Sequence, residues 1–269
     1  MFTSKTPNVA HAIDVLKPCK VTYTSNSVYI ESGGKSYIFT SSGNTLKPSE
    51  LSFVKQFRSY YIKNKSLKYE KRFARFNPKF FKFYKESGNH NDIIEIDINR
   101  AYPSSGRILG IIPDELFDEG MRHSKTAFLV AVGSLYRKKK VIKVSASGVR
   151  ELVSDEKPDA HLTAIWRSIV GYVDYSMQTA VKSNEDAVYF YWCDALFVKK
   201  QYAQHFIDQL EGFGFQVKTK EIDKVEYKED KAYVYYTGIK EPKTFSRPVR
   251  KYTVKSIDQL IKRYEKKEK

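Results

Sequence analysis

Two aspartates stand where carboxylates can meet a metal ion. Asp97 lies in the apolar, strand-like run IIEIDI, and Asp194 sits at the turn of AVYFYWCDALFV, which reads as two strands joined tightly near residues 192–194. Each projects from a strand end, and adjacent strands would bring the two together. Carboxylates so placed can hold two Mg²⁺ ions, one activating an attacking hydroxyl and the other steadying a triphosphate leaving group. Spacing alone favours a plainer reading in which each aspartate caps a turn. Glu95 precedes Asp97 by two residues and points the same way across the pleat, as an extra carboxylate or as a salt-bridge partner.

The elements that must position this pair follow from periodicity. Residues 20–40 alternate β-formers with polar residues around Ser25-Asn26-Ser27 and Gly33-Gly34, so residues 1–46 are expected to form a small β-rich N-terminal module. From Glu50 to Lys85 the pattern becomes helical, with Pro78 interrupting any single long helix. This basic, aromatic segment, 47–90, carries Arg58, Lys63, Lys68, Arg72, Arg75 and Lys79 as candidate nucleic-acid contacts, its cations meeting phosphates. Its aromatics either stack on bases or belong to the core. The strand before Asp97 opens a module spanning 91–238. One or two helices are expected over 115–136, a longer one over Ala160 to Val181, and one from Gln201 to Glu211. Strands are expected near 215–220, 223–227 and 231–236, and a basic tail over 239–269 holds a short amphipathic helix from Ser256. The fold class is α+β, a mainly antiparallel sheet with helices on one face.

Composition restricts the partners. The chain has 269 residues, 41% of them hydrophobic, enough for a substantial core, and its net charge of +16 favours a polyanion. No apolar run of about 18 residues spans a bilayer, and no signal peptide begins the chain, so no membrane association and a cytoplasmic location are expected. Cys19 and Cys193 lie in unrelated contexts, and the five histidines lack metal-ligand spacing.

The residues around the aspartates add a resemblance. DINRAYPS, Asp97 to Ser104, resembles motif A of family B DNA polymerases, DxxSLYPS, keeping the Asp, Tyr, Pro and Ser. YFYWCDALFV resembles motif C, YGDTDSxFV, with Asp194 at the second Asp, while Trp192 replaces the first. GSLYR, Gly133 to Arg137, retains part of motif B, KxxxNSxYG, and KAY, Lys231 to Tyr233, is similar to the KxY element that contacts the primer strand. The four elements occur in the family's order, covering roughly residues 90–236.

The resemblance implies a polymerase palm with short helical fingers, in which Asp97, Asp194 and the backbone of Ile98 hold two Mg²⁺ or Mn²⁺ ions. The backbone of Ile98 to Ala101, with Asn99 and Arg100, would meet the triphosphate, and Tyr102 would exclude a ribose 2′-hydroxyl. Arg100 replaces the usual Ser and either adds a cation beside the triphosphate or points to solvent. Leu129 occupies the usual lysine position of motif B, leaving Lys125, one turn earlier, with Arg122 near it, as substitutes or as ordinary solubilising cations. Ser134 and Tyr136 would line the nascent base pair. Lys231 and Tyr233 would touch the primer.

No room for a proofreading exonuclease precedes motif A, and only a short tail follows KxY. The expectation is a minimal DNA polymerase or primase-like nucleotidyltransferase of phage or mobile-element type, acting in the host cytoplasm if phage-encoded. It would use dNTPs and DNA template and primer, with single-stranded DNA as a partner and a replication partner for processivity. The alternatives are a noncatalytic single-stranded-DNA-binding factor retaining a palm scaffold, and a two-metal nuclease.

Overall fold

The computed structural model describes residues 9–24, 27–40, 46–76, 79–84, 88–136, 139–228 and 231–246. The chain is α+β, and every strand pairing among these residues is antiparallel. Helix α1 (Val9–Leu16) precedes strands β1 (Cys19–Thr24), β2 (Ser27–Ser32) and β3 (Lys35–Thr40). Then come α2 (Pro48–Lys63), α3 (Lys71–Ala74), β4 (Phe81–Phe83), β5 (Gly88–His90) and β6 (Ile93–Ile98). Helices α4 (Ala101–Ile108), α5 (Asp114–Met121) and α6 (Lys125–Gly133) lead to β7 (Lys139–Val144), β8 (Arg150–Glu156) and the long α7 (Ala160–Ser183). The chain continues through β9 (Val188–Trp192), β10 (Ala195–Lys199), α8 (Ala203–Gly212), β11 (Val217–Lys228), β12 (Lys231–Tyr236) and β13 (Lys243–Ser246).

The larger sheet runs β13-β12-β11-β6-β10-β9-β4, with β5 also paired to β11. Strand β6 is its centre, and all six of its residues are buried. Alternation divides them. Ile94, Ile96 and Ile98 face a core shared with Val173, Met177 and Val181 of α7 and Phe206 and Leu210 of α8. Ile93, Glu95 and Asp97 face the opposite side, where Phe83, Phe190, Phe197, Val234 and Phe245 form a second core. No helix among the described residues contributes to that second core; the sheet curls over itself. At ordinary strand spacing β13 and β9 would lie about 24 Å apart, yet the ring of Phe245 is 5.5 Å from Phe190 and 5.7 Å from Trp192.

Helix α7 joins the sheet to a helical cluster. Asp159 caps it by accepting from Leu162 N–H at 2.9 Å. Its first half, through Leu162, Ile165 and Ile169, packs with Phe53, Phe57 and Tyr61 of α2 and Phe128 of α6. Its second half lies on the sheet. Twenty-four residues give it a length of about 36 Å, enough to serve both cores.

Three expectations change. Residues 47–90 are not helical throughout: after α3 the chain enters strand edges β4 and β5, Phe83 being buried on Phe190 at 5.1 Å. The Phe81/Phe83 alternation was the available strand signal, obscured by flanking aromatics at helix-compatible spacing. The N-terminal β-rich sheet is completed from elsewhere, its order being β3-β2-β1-β7-β8, so residues 139–156 form two strands where no element was expected. The strands expected at 215–220 and 223–227 are one long β11, bulged between Ile222 and Lys224. The expected helix from Ser256 lies outside the described residues.

Candidate active site

The carboxylates meet because β10 pairs with β6. Ala195 stands opposite Asp97, and the amide of Ile98 donates to the carbonyl of Asp194 at 2.8 Å. Asp194 is held by a two-residue turn between Trp192 and Ala195. Within that turn Cys193 adopts a left-handed backbone, φ 55°, a conformation costing a non-glycine residue about 1 kcal/mol or more. Its amide donates to the carbonyl of Phe80, which is itself left-handed at φ 61°. Arg100, preceding α4, is left-handed too, at φ 48°. Backbone strain thus gathers on both sides of the pair.

Electrostatics make the pair costly without a counter-charge. Burial, and then repulsion from Asp97, push the Asp194 carboxyl above the usual range, while Lys125 and Lys218 pull it down. Lys125 lies in the first turn of α6, which brings the start of that helix near enough to Asp194 for its charge to act. Lys218 is the cross-strand partner of Asp97 on β11, its Nζ 2.9 Å from Oδ2. Glu95 is committed elsewhere: it accepts from Lys220 at 2.5 Å and from the Tyr236 hydroxyl, which supports its salt-bridge reading. Among the described residues no group of three or more His, Cys, Asp or Glu gathers as a metal cage, leaving Asp97 and Asp194 as the candidate donor pair.

Tyr102 sits between the two helix-side cores and touches both. Its hydroxyl is hydrogen-bonded to Cys193, and burial followed by Cys193, Asp194 and Asp174 raises its pKa, keeping the phenol protonated. Cys193 is itself pushed up to about 11, mainly by burial and then by Asp194, while Lys243 of β13 opposes that shift. Asn99 is exposed, with its amide bound to the Gln216 carbonyl at 2.8 Å, and Ala101 is buried. Arg100 does not simply reach solvent: its Nη1 is buried without a hydrogen-bond partner.

Other candidates have local partners of their own or face elsewhere. Arg122 is paired with Glu119 at 3.0 Å. At the far end of α6, the Ser134 hydroxyl donates to Ala131 O at 2.6 Å, and the Ser134 carbonyl accepts from Arg58. Tyr136 stacks on Trp166 at 4.7 Å, so this stretch ties α6 to α2 and α7. Lys231 and Tyr233 alternate with Ala232, Val234 and Tyr236, which face the Glu95 side, and therefore point to the opposite face of the sheet from the carboxylates. Lys63, Lys68, Arg75 and Lys79 are exposed on the α2-to-β4 stretch. Arg72 lies over Tyr175, 4.6 Å from the ring centroid, and donates to its hydroxyl at 2.6 Å.

Sequence reasoning passed over Asp174, Lys218 and Lys243. Asp174 is buried on α7 and accepts from the amides of Lys79 and Phe80 at 2.8 and 3.0 Å, anchoring the segment whose carbonyl receives Cys193. Its signal was a lone acid within the apolar face of a predicted helix. Lys218 and Lys243 carried no local signal, because their place is set by strand register and curl.

No helix among the described residues is long and apolar enough to cross a membrane. A scan against protein-family models matches none of them, and a search of curated proteins finds no match.

Proposed function

We propose that the chain is a minimal DNA polymerase or primase-like nucleotidyltransferase, adding deoxynucleotides in the cytoplasm without proofreading. The observation that carries the reading is the β6–β10 register, which sets Asp97 beside Asp194 at a strand end, with Lys125 and Lys218 as the neighbouring cations. Two like charges held together against burial suit a divalent cation. Mg²⁺ or Mn²⁺ bound by Asp97, Asp194 and the backbone of Ile98 would supply hydroxyl activation and neutralisation of phosphate charge. The chain's own residues do the rest. Lys125 and Arg100, whose Nη1 lacks a hydrogen-bond partner, offer positive charge to a triphosphate at the start of α4. Tyr102, pinned between two cores, presents a rigid wall to the sugar and favours deoxyribose. DNA template and primer are the polyanionic partners, with a further protein supplying processivity.

Primer extension tests the proposal: primed and unprimed single-stranded templates, labelled dNTPs and Mg²⁺ or Mn²⁺, with wild type and Asp97→Ala. Incorporation by the wild type should fall at least ~100-fold in the variant, the scale on which losing a principal electrostatic group acts. Equal incorporation by both refutes it. The Lys218 ion pair on Asp97 and Trp192 in place of an acid favour a second reading, a noncatalytic single-stranded-DNA-binding factor. That reading predicts DNA binding without incorporation, unchanged by Asp97→Ala or by metal.

A further inference from the structure

Lys218 and Lys220 form two successive cross-strand rungs, Lys218 opposite Asp97 and Lys220 opposite Glu95. The rungs are chemically similar but differently closed. Glu95, with its side chain 3% exposed, is locked by two donors, Lys220 and the Tyr236 hydroxyl. Asp97, 11% exposed, is paired with Lys218 alone among the described cations, and the Lys218 side chain is 47% exposed. The ammonium therefore has an open path away from its carboxylate, and the flexible lysine stem can follow it.

We propose that Lys218 is a built-in counter-ion, holding Asp97 while no divalent cation is bound and turning its ammonium toward the substrate's phosphates once a cation takes the carboxylate. The inference rests on the nucleotidyl-transfer reading of the same pair. Charge balance supports it: the Lys218 ammonium, 2.9 Å from Asp97 Oδ2, cancels one of the two negative charges that ionised Asp97 and Asp194 would gather at this strand end. A divalent cation arriving beside a seated ammonium would meet a like charge, and ammonium release removes it. The released charge stays on β11 beside the carboxylate pair, a second cation in addition to Lys125. Lys218 is thus a positioning residue for metal and nucleotide, while Lys220, whose carboxylate is locked, has no such role.

Mn²⁺ titration followed by electron paramagnetic resonance of the free ion tests this on the full chain, independently of polymerisation. Lys218→Met should bind Mn²⁺ about five-fold more tightly than wild type, the equivalent of one partly exposed ion pair. Lys218→Arg should stay closer to wild type than Lys218→Met does, and Lys220→Met, which tests for general disturbance of β11, should leave the affinity unchanged. Unchanged affinity in Lys218→Met, with binding still lost in Asp97→Ala, overturns the counter-ion role and leaves the metal site standing. Wild-type binding indifferent to both Asp97→Ala and Asp194→Asn overturns the metal site itself and this inference with it. Thermal melts of each variant verify the fold before titration.

Discussion

Replacing Asp174 by alanine should unfasten the carboxylate hairpin without touching a carboxylate. Asp174 is 2% exposed on α7. Its Oδ2 accepts from Lys79 N–H at 2.8 Å and Gln178 Nε2 at 2.6 Å, and its Oδ1 from Phe80 N–H at 3.0 Å and, more weakly, the Tyr191 hydroxyl at 3.4 Å. Alanine removes the acceptor from two part-buried backbone amides. Each orphaned donor costs ~1–3 kcal/mol, so the variant should lose ~3–5 kcal/mol once the freed Gln178 and Tyr191 are included. Asp174→Asn keeps one carbonyl oxygen but turns an NH₂ toward a donor, and should lose a smaller ~1–3 kcal/mol. The damage travels along a defined path: residues 79–80 loosen, the Phe80 carbonyl leaves Cys193 N–H, and the turn holding Asp194 shifts. Urea unfolding followed by circular dichroism and by tryptophan fluorescence measures it, since Trp192 lies 5.1 Å from Phe81 and reports on that edge. An alanine variant within ~1 kcal/mol of wild type, or one indistinguishable from the asparagine variant, refutes the anchoring role.

Two further outcomes follow from the same packing and charges. The folded-state pKa of Asp194 is raised, so its stability effect is unfavourable once ionised: in metal-free protein, stability should fall as pH rises from the unfolded carboxyl value, 3.8, through the higher folded one. Asp194→Asn should flatten that part of a urea-denaturation profile, and an unchanged slope would contradict the assignment. At Gly171, a Cβ would come within 2.4 Å of the Phe73 carbonyl oxygen, which belongs to the backbone of α3 and cannot rotate aside. Gly171→Ala should therefore cost ~1–3 kcal/mol in unfolding free energy, and a variant as stable as wild type would show that α3 is free to retreat from α7.

Much of the scaffold was legible because it depends on local period. The apolar run before Asp97, the hairpin carrying Asp194 and the long helix over 160–181 all announce themselves in the alternation or 3.6-residue spacing of their side chains. The two aspartates were legible as candidates for the same reason, since a polar residue closing an apolar strand breaks its own pattern. What period cannot express is partnership between distant strands. Residues 139–156 have no element assigned until β1 supplies a neighbour for β7, and Phe81 and Phe83 read as helical until β9 pairs with them.

The site divides in the same way. Sequence by itself supplied the candidates: two carboxylates at strand ends, a tyrosine and an arginine beside the first, and a lysine on a nearby helix. Tertiary structure decided which of them meet. The register of β6 against β10 joins Asp97 to Asp194, whereas alternation along β12 turns Lys231 and Tyr233 to the other face. It also brought in Asp174, a lone acid whose role burial revealed, and two residues with no local signature of function: Lys218 through a cross-strand rung and Lys243 through the curl of the sheet. The physical reason is range. Side-chain period is a property of neighbours a few residues apart, while Asp97 and Lys218 become neighbours only when β11 pairs with β6.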